Sequence, residues 1–118
     1  IYFTGYVDES IKKKLLAGAL GFIHPQEEDA GIAAIEAMAA GTPVIAFDAG
    51  GARETIIQDV TGMKFEEQTW QMLADTVIRF KKQSFDYDMI RDHSQQFSRE
   101  RFMNELKTFV DMKYLESR

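Results

Sequence analysis

The chain has no cysteine. That excludes a disulfide framework, a thiolate zinc site and a cysteine nucleophile, and it fits a reducing compartment. Basic charge is also short, with 14 Lys and Arg against 19 Asp and Glu for a formal charge of −5. With a pI near 5.0, no general attraction to nucleic acid is expected. No apolar run reaches the roughly 18–20 residues that span a bilayer. The start, Ile1-Tyr2-Phe3-Thr4-Gly5, has neither an initiator methionine nor a basic leader, so it is no signal peptide. It reads as a chain cut in mid-strand, a fragment or an isolated domain. Internal repeats, low-complexity segments and linkers are missing too. What is present is ordinary for one compact domain: 118 residues, 45% hydrophobic and 28% charged, values that argue against disorder.

Short β-rich runs alternate with helical patterns, the order of βαβ units in a parallel sheet. Ile1–Thr4 is expected as a strand closed by Gly5. Asp8 suits the cap of a helix through Leu16, with Glu9 favourable in its first turn. Leu20–His24 reads as a second strand stopped by Pro25, and Gly31–Ala40 as an alanine-rich helix stopped by Gly41. Pro43–Phe47 is a continuous apolar strand of the buried parallel kind. A short helix over Ala52–Ile57 and a short strand over Met63–Phe65 follow. Beyond Gln68 the pattern is helical. Trp70, Leu73, Val77 and Phe80 form a stripe read as core, and Asp75 is placed to pair with Arg79. A helix is expected over Tyr87–Gln96. A last one is capped by Ser98, with Phe102, Leu106, Phe109 and Val110 as its apolar face.

Glu28 and Glu36 are the most informative residues. Glu36 is the only charged side chain between Gly31 and Phe47, and an ionised carboxylate among alanine, isoleucine and methionine is costly unless it is paired or meets a ligand. Seven residues separate it from Glu28, just ahead of Gly31 where the helix begins. On a helix the two carboxylates lie about 10–12 Å apart along the axis. That is too far for a shared proton or a single metal ion, but it suits the two ends of one extended polar ligand. In open α/β sheets ligands bind beyond the carboxyl ends of strands, and a helix start offers free N–H groups to a phosphate. Gly31 would let such a ligand approach the backbone. The plainer alternatives are a glycine turn whose acids complement the helix dipole, and a Glu36 turned to solvent.

A second glycine turn, Gly50-Gly51-Ala52-Arg53-Glu54, has amides able to cradle an anion and an arginine able to pair with one, although a plain strand-to-helix turn is the better explanation. His24 and His93 are read as structural, and Lys12-Lys13-Lys14 and Lys81-Lys82 as solvated faces.

The block Pro25-Gln26-Glu27-Glu28-Asp29-Ala30-Gly31-Ile32, followed by Glu36-Ala37-Met38-Ala39-Ala40-Gly41-Thr42-Pro43-Val44-Ile45-Ala46, strongly resembles the retaining GT-B glycosyltransferases. The likeness is to the large group containing bacterial and archaeal mannosyl- and glucosyltransferases. Phe3-Thr4-Gly5-Tyr6-Val7 resembles the strand and loop before that signature, Gly50-Gly51-x-x-Glu54 the loop after it, and Phe97-Ser98-x-Glu100-x-Phe102 the closing helix. The resemblance implies a Rossmann-like parallel sheet flanked by helices, with a helical C-terminal segment. Residues 1–118 would be most of a C-terminal domain that binds a nucleotide sugar such as a GDP- or UDP-hexose. It implies that Glu28 contacts the transferred sugar and acts in catalysis. Glu36 would hold the ribose, and the stretch Asp29, Ala30, Gly31 and Ile32 would lie against sugar and diphosphate. Transfer would retain anomeric configuration without cofactor or metal, because basic groups and helix N-termini take up the developing charge. The acceptor, a glycan or a lipid-linked sugar, would be held by an N-terminal domain absent from this chain. The phosphate-binding arginine and lysine would also lie upstream, so this polypeptide alone is expected to be inactive. A cytoplasmic parent, peripherally associated with the inner face of the membrane, fits this reading. One departure is Ala30, where the family usually carries an aromatic residue; it bears on the sugar pocket and donor choice.

Two readings from other classes compete. A signalling receiver has this length and order, but it needs acids at the end of its first strand, and Ile1–Tyr6 offers none. A non-catalytic α/β domain that binds a nucleotide or a protein partner is the other.

Overall fold

A computed structural model describes residues 1–117. It is an α/β unit of three parallel strands, β1 (Phe22–His24), β2 (Val44–Phe47) and β3 (Gly62–Phe65), in the order β1-β2-β3. The register sets Phe22 beside Val44 and His24 beside Ala46, then Val44 beside Gly62 and Phe47 beside Phe65. Helices α1 (Glu9–Gly18), α2 (Ile32–Ala39), α3 (Ala52–Thr55), α4 (Trp70–Arg79), α5 (Tyr87–Ser94) and α6 (Arg99–Glu116) complete it. The parallel α/β class expected from the sequence is what forms.

Local chemistry explains the helix starts. Thr69 and Ser98 cap α4 and α6 through their hydroxyls, and Asp86 caps α5 through its carboxylate. Asp8 accepts the Ile11 N–H at 2.9 Å and so caps α1. That bond and a second from Ser10 hold the Asp8 carboxyl below its ordinary value of 3.8. A lowered carboxylate pKa adds stability that is present above the unfolded value and lost as pH falls through the folded one. The start of α1 is therefore expected to loosen below pH 3.8, visible as a cooperative change in the Ile11 amide shift that Asp8→Ala removes.

The core lies between α2, α5 and the sheet. Met38, Ala37, Val44, Ala46, Ile56 and Ile90 are buried there, with Leu16, Phe22, Ile35 and Phe85 packed against them. The small alanine face of α2 lets that helix approach both the sheet and α5, so the position of α2 follows from its composition.

Four expectations need correction. Ile1–Thr4 forms no strand, and Ile1, Tyr2 and Phe3 are fully exposed. A β-prone run becomes a strand only where a neighbour supplies the other half of the ladder, and none does among the described residues. The inward line of α4 is Leu73, Thr76 and Phe80, leaving Trp70 and Val77 exposed. Of the expected stripe, Leu73 and Phe80 thus face inward, while Trp70 and Val77 are turned to the surface and Thr76 takes the buried place. The helix over Tyr87–Gln96 stops at Ser94 and passes into a 3-10 turn, Gln95–Phe97. The short helix after Gly51 stops at Thr55 rather than Ile57, with Ile56 already extended. Phe102, Leu106, Phe109 and Val110 do share one side of α6 but cover nothing among the described residues.

Candidate functional site

Of the residues singled out from the sequence, Glu28–Ile32 follow the carboxyl end of β1, and Glu36 lies on the second turn of the helix they enter. The chain leaves the sheet at His24, runs through Pro25–Ala30 and enters α2 at Gly31. Gly31 is the N-cap, in the left-handed region at φ +64, and no side chain caps the helix there. The first N–H groups of a helix have no acceptor inside it, so those opening α2 remain available beside the Glu28–Gly31 turn. Glycine is needed because a side chain at this φ would be strained. Directly beneath lies His24, buried, its ring 6.2 Å from that of Phe22. Its Nε2 sits 3.6 Å from where a Cβ on Gly31 would stand, and its Nδ1 is buried without a hydrogen-bond partner among the described residues.

The turn itself rests on the second glycine pair. The Gly51 N–H donates to the Glu28 carbonyl at 2.7 Å. A Cβ on Gly50 would overlap that same oxygen, and one on Gly51 would overlap the Asp29 carbonyl. Gly50-Gly51 is therefore the seat of the Glu28 turn. The anion-cradle alternative loses the Gly51 amide, which is engaged, and Arg53, whose Nε donates to the Asp48 carbonyl at 3.1 Å and lies 3.6 Å from its carboxylate.

The side chains of Glu28 and Glu36 do not touch each other. Glu28 is exposed and accepts a hydrogen bond from Gln26 Nε2 at 3.0 Å. Glu36, on the second turn of α2, is 3.1 Å from Lys12 Nζ, the two side chains 40% and 37% exposed. Lys12 also reaches Glu9 at 2.9 Å. These two carboxylates, Glu9 first, raise the Lys12 pKa above its ordinary 10.5. A raised lysine pKa means the pair is fully formed at neutral pH and dissolves only as pH climbs through the folded value. The half-buried carboxylate flagged by its apolar neighbours thus has its counter-ion. That counter-ion is Lys12, which the sequence reading assigned to a solvated face. The spacing Glu9–Lys12 was visible as an (i, i+3) pair, but nothing local foretold that α1 would lie across α2. Asp29, Ala30 and Ile32 are exposed along the same turn.

A cavity of about 490 Å³ opens between α1 and α2 beside this pair. Glu9, Lys12, Lys13, Leu16, Glu36 and Arg91 are among its lining residues. No helix among the described residues is long and apolar enough to cross a membrane.

Comparison with known proteins identifies the family and the fold. The family model described as glycosyl transferases group 1 matches residues 1–100. An uncharacterized glycosyltransferase of Methanocaldococcus jannaschii is 42% identical over 64 residues, 53% of this chain and 16% of that protein. A glycogen synthase of Thermodesulfovibrio yellowstonii is 34% identical over 76% of this chain and 19% of its own length. The alpha-1,3/1,6-mannosyltransferase ALG2 of Eremothecium gossypii is 34% identical over 66% of this chain and 15% of its own. Among solved structures, a sucrose-phosphate synthase from Thermosynechococcus elongatus superposes with a TM-score of 0.86 at 27% identity. That superposition covers 98% of this chain and 30% of the other. The chain thus spans under a fifth of each of these curated relatives. The match over residues 1–100 sets aside the receiver reading: the chain belongs to the group 1 glycosyl transferases.

Proposed function

We propose that this chain is the donor-binding part of a retaining glycosyltransferase whose parent moves a hexose from a nucleotide sugar to a glycan or lipid-linked acceptor. The observation that carries the reading is the uncapped start of α2 at Gly31, flanked by Glu28 on the approaching turn and Glu36 one turn into the helix. Open N–H groups and the positive end of the helix dipole suit a diphosphate. A carboxylate on either side suits hydroxyl groups, which donate to it.

In this arrangement the diphosphate lies against Gly31 and Ile32, with Asp29 and Ala30 along the turn. Glu28 meets the hydroxyls of the sugar and Glu36 those of the ribose. The cation Lys12 holds the Glu36 carboxylate ready to accept. The charge that develops on the departing diphosphate falls on the helix N-terminus and on basic side chains of the parent, so the reaction proceeds without metal. The sugar keeps its anomeric configuration because the acceptor attacks the face that the diphosphate leaves. A GDP- or UDP-hexose donor, a cytoplasmic parent at the inner membrane face and an N-terminal acceptor domain complete the proposal.

The test is a titration of the 118-residue chain with GDP and UDP, followed by amide NMR. Saturable shifts are expected at Gly31, Ile32 and Ala33 with at least one nucleotide. Glu36→Ala should weaken binding about tenfold or more, the worth of one charge-assisted hydrogen bond. Lys12→Met should weaken it by less, since it loosens Glu36 without removing it. If neither nucleotide shifts these amides, or Glu36→Ala binds as well as the parent sequence, the donor site is wrong.

A further inference from the structure

A second concavity lies at the same edge of the sheet as Glu28, and neither the family match nor the donor reading accounts for it. It has a volume of about 270 Å³ and is lined by Pro25 and Gln26 after β1, Phe65 at the end of β3, and Gln68, Trp70 and Leu73 leading into α4. The carboxyl ends of parallel strands are where open α/β sheets take their ligands. Trp70 is the chain's only tryptophan and is 74% exposed. Its neighbour Thr69 fixes its place by capping α4, accepting the Met72 N–H at 3.2 Å.

The polar groups here are carboxamides held in place. Gln68 Nε2 donates to the Pro25 carbonyl at 3.0 Å, and Gln26 Nε2 donates to Glu28 at 3.0 Å. Neither amide oxygen accepts a hydrogen bond among the described residues. No charged side chain lines the cavity, while Glu66 and Glu67 stand exposed just beyond Phe65. An anionic ligand would meet acids with no compensating base. A neutral ligand rich in hydroxyls meets two fixed acceptors and one flat aromatic face. Apolar walls with a few placed polar groups are the usual composition of a small-molecule site. The volume falls just below the usual range of about 300–1,000 Å³, which suits one ring rather than a nucleotide.

We propose that Trp70, Gln26 and Gln68 form an outlying subsite for one neutral hexopyranose ring of a glycan acceptor whose reacting end the N-terminal domain would hold. The apolar C–H face of the ring stacks on the indole, and its hydroxyls donate to the two amide oxygens. Gln26 is the link to the transfer site, because the residue that would touch this sugar also hydrogen-bonds Glu28. The acceptor role rests on the donor reading given above; the binding of a sugar ring does not.

Intrinsic fluorescence reports on this site alone, since Trp70 has no rival emitter of its kind in the chain. The 118-residue chain is titrated with mannobiose and with maltotriose. The expected result is a saturable, blue-shifted emission change with at least one of them, and none with glucose 6-phosphate. By saturation-transfer NMR, Trp70→Phe should keep binding, weakened a few-fold. Trp70→Ala should lose it, and Gln68→Ala should weaken it about threefold or more, all three with the melting temperature of the parent sequence. Glu36→Ala should weaken nucleotide binding and keep the saccharide, while Trp70→Ala should lose the saccharide and keep the nucleotide. Nucleotide binding without any saccharide response overturns the subsite alone. Saccharide binding without nucleotide overturns the donor reading alone. Unchanged saccharide binding in Trp70→Ala places the ligand elsewhere and overturns the proposal. So does a Trp70 emission that responds only to a protein added as partner.

Discussion

Replacing Glu28 with alanine in the full-length parent is expected to depress kcat by about 10- to 150-fold, the kinetic equivalent of losing a charge-assisted hydrogen bond worth about 1.5–3 kcal/mol. Glu28 stands on the turn that enters α2, exposed, and among the described residues its one side-chain partner is Gln26 at 3.0 Å. Nothing in the fold consumes its charge, so its removal acts on the bound sugar and not on folding. Contacts that strengthen as the sugar gains positive character raise turnover and not merely affinity. Glu36 answers differently. It is engaged with Lys12 at 3.1 Å and would meet the ribose, remote from the breaking bond. Glu36→Ala should therefore raise the donor KM more than it lowers kcat. The measurement is steady-state kinetics with the natural donor. Near wild-type kcat/KM in both variants would leave a likeness of fold without the two-glutamate site.

What the sequence disclosed and what it hid divide along one physical line. Elements set by local chemistry were legible: the Asp8 and Ser98 caps, the glycine entry and exit of α2, the apolar run of β2, and the Asp75–Arg79 pair at 2.9 Å. Contacts made across the fold were not. Lys12 reads as one of three consecutive lysines until α1 is laid over α2 and one of the three meets Glu36. Trp70 reads as core from its spacing, but the side of α4 that faces inward is decided by the sheet, which selects Thr76 instead. Ile1–Thr4 has strand composition and, among the described residues, no strand beside it. The seat of the Glu28 turn was half visible. Gly50-Gly51 announced a turn, yet that another backbone presses on it could be seen only with both loops in place.

That backbone contact and its counterpart inside the sheet lead to two glycine substitutions with opposite signatures. At Gly62 a Cβ would stand 2.8 Å from the Val44 carbonyl carbon and 2.9 Å from its nitrogen, and closer still to its oxygen. Those atoms belong to the ladder that joins β2 to β3, so no flexible side chain is there to yield. Gly62→Ala must separate the two strands or shift their register. The expected loss of about 4 kcal/mol or more lies at the extreme of single substitutions and removes much of the roughly 5–15 kcal/mol that holds a domain folded. At Gly51 the obstruction is the Asp29 carbonyl, on an exposed turn that can move. Gly51→Ala should therefore cost only about 1–3 kcal/mol, the usual scale of overpacking. The displacement it causes falls on Glu28, Asp29 and Ala30. In urea unfolding Gly62→Ala should collapse the midpoint while Gly51→Ala keeps a cooperative transition. In the full-length parent Gly51→Ala should then lose turnover as Glu28→Ala does, although every side chain of the donor site is intact. A folded Gly51→Ala enzyme with unchanged kcat would show that the Glu28 turn does not depend on its glycine seat.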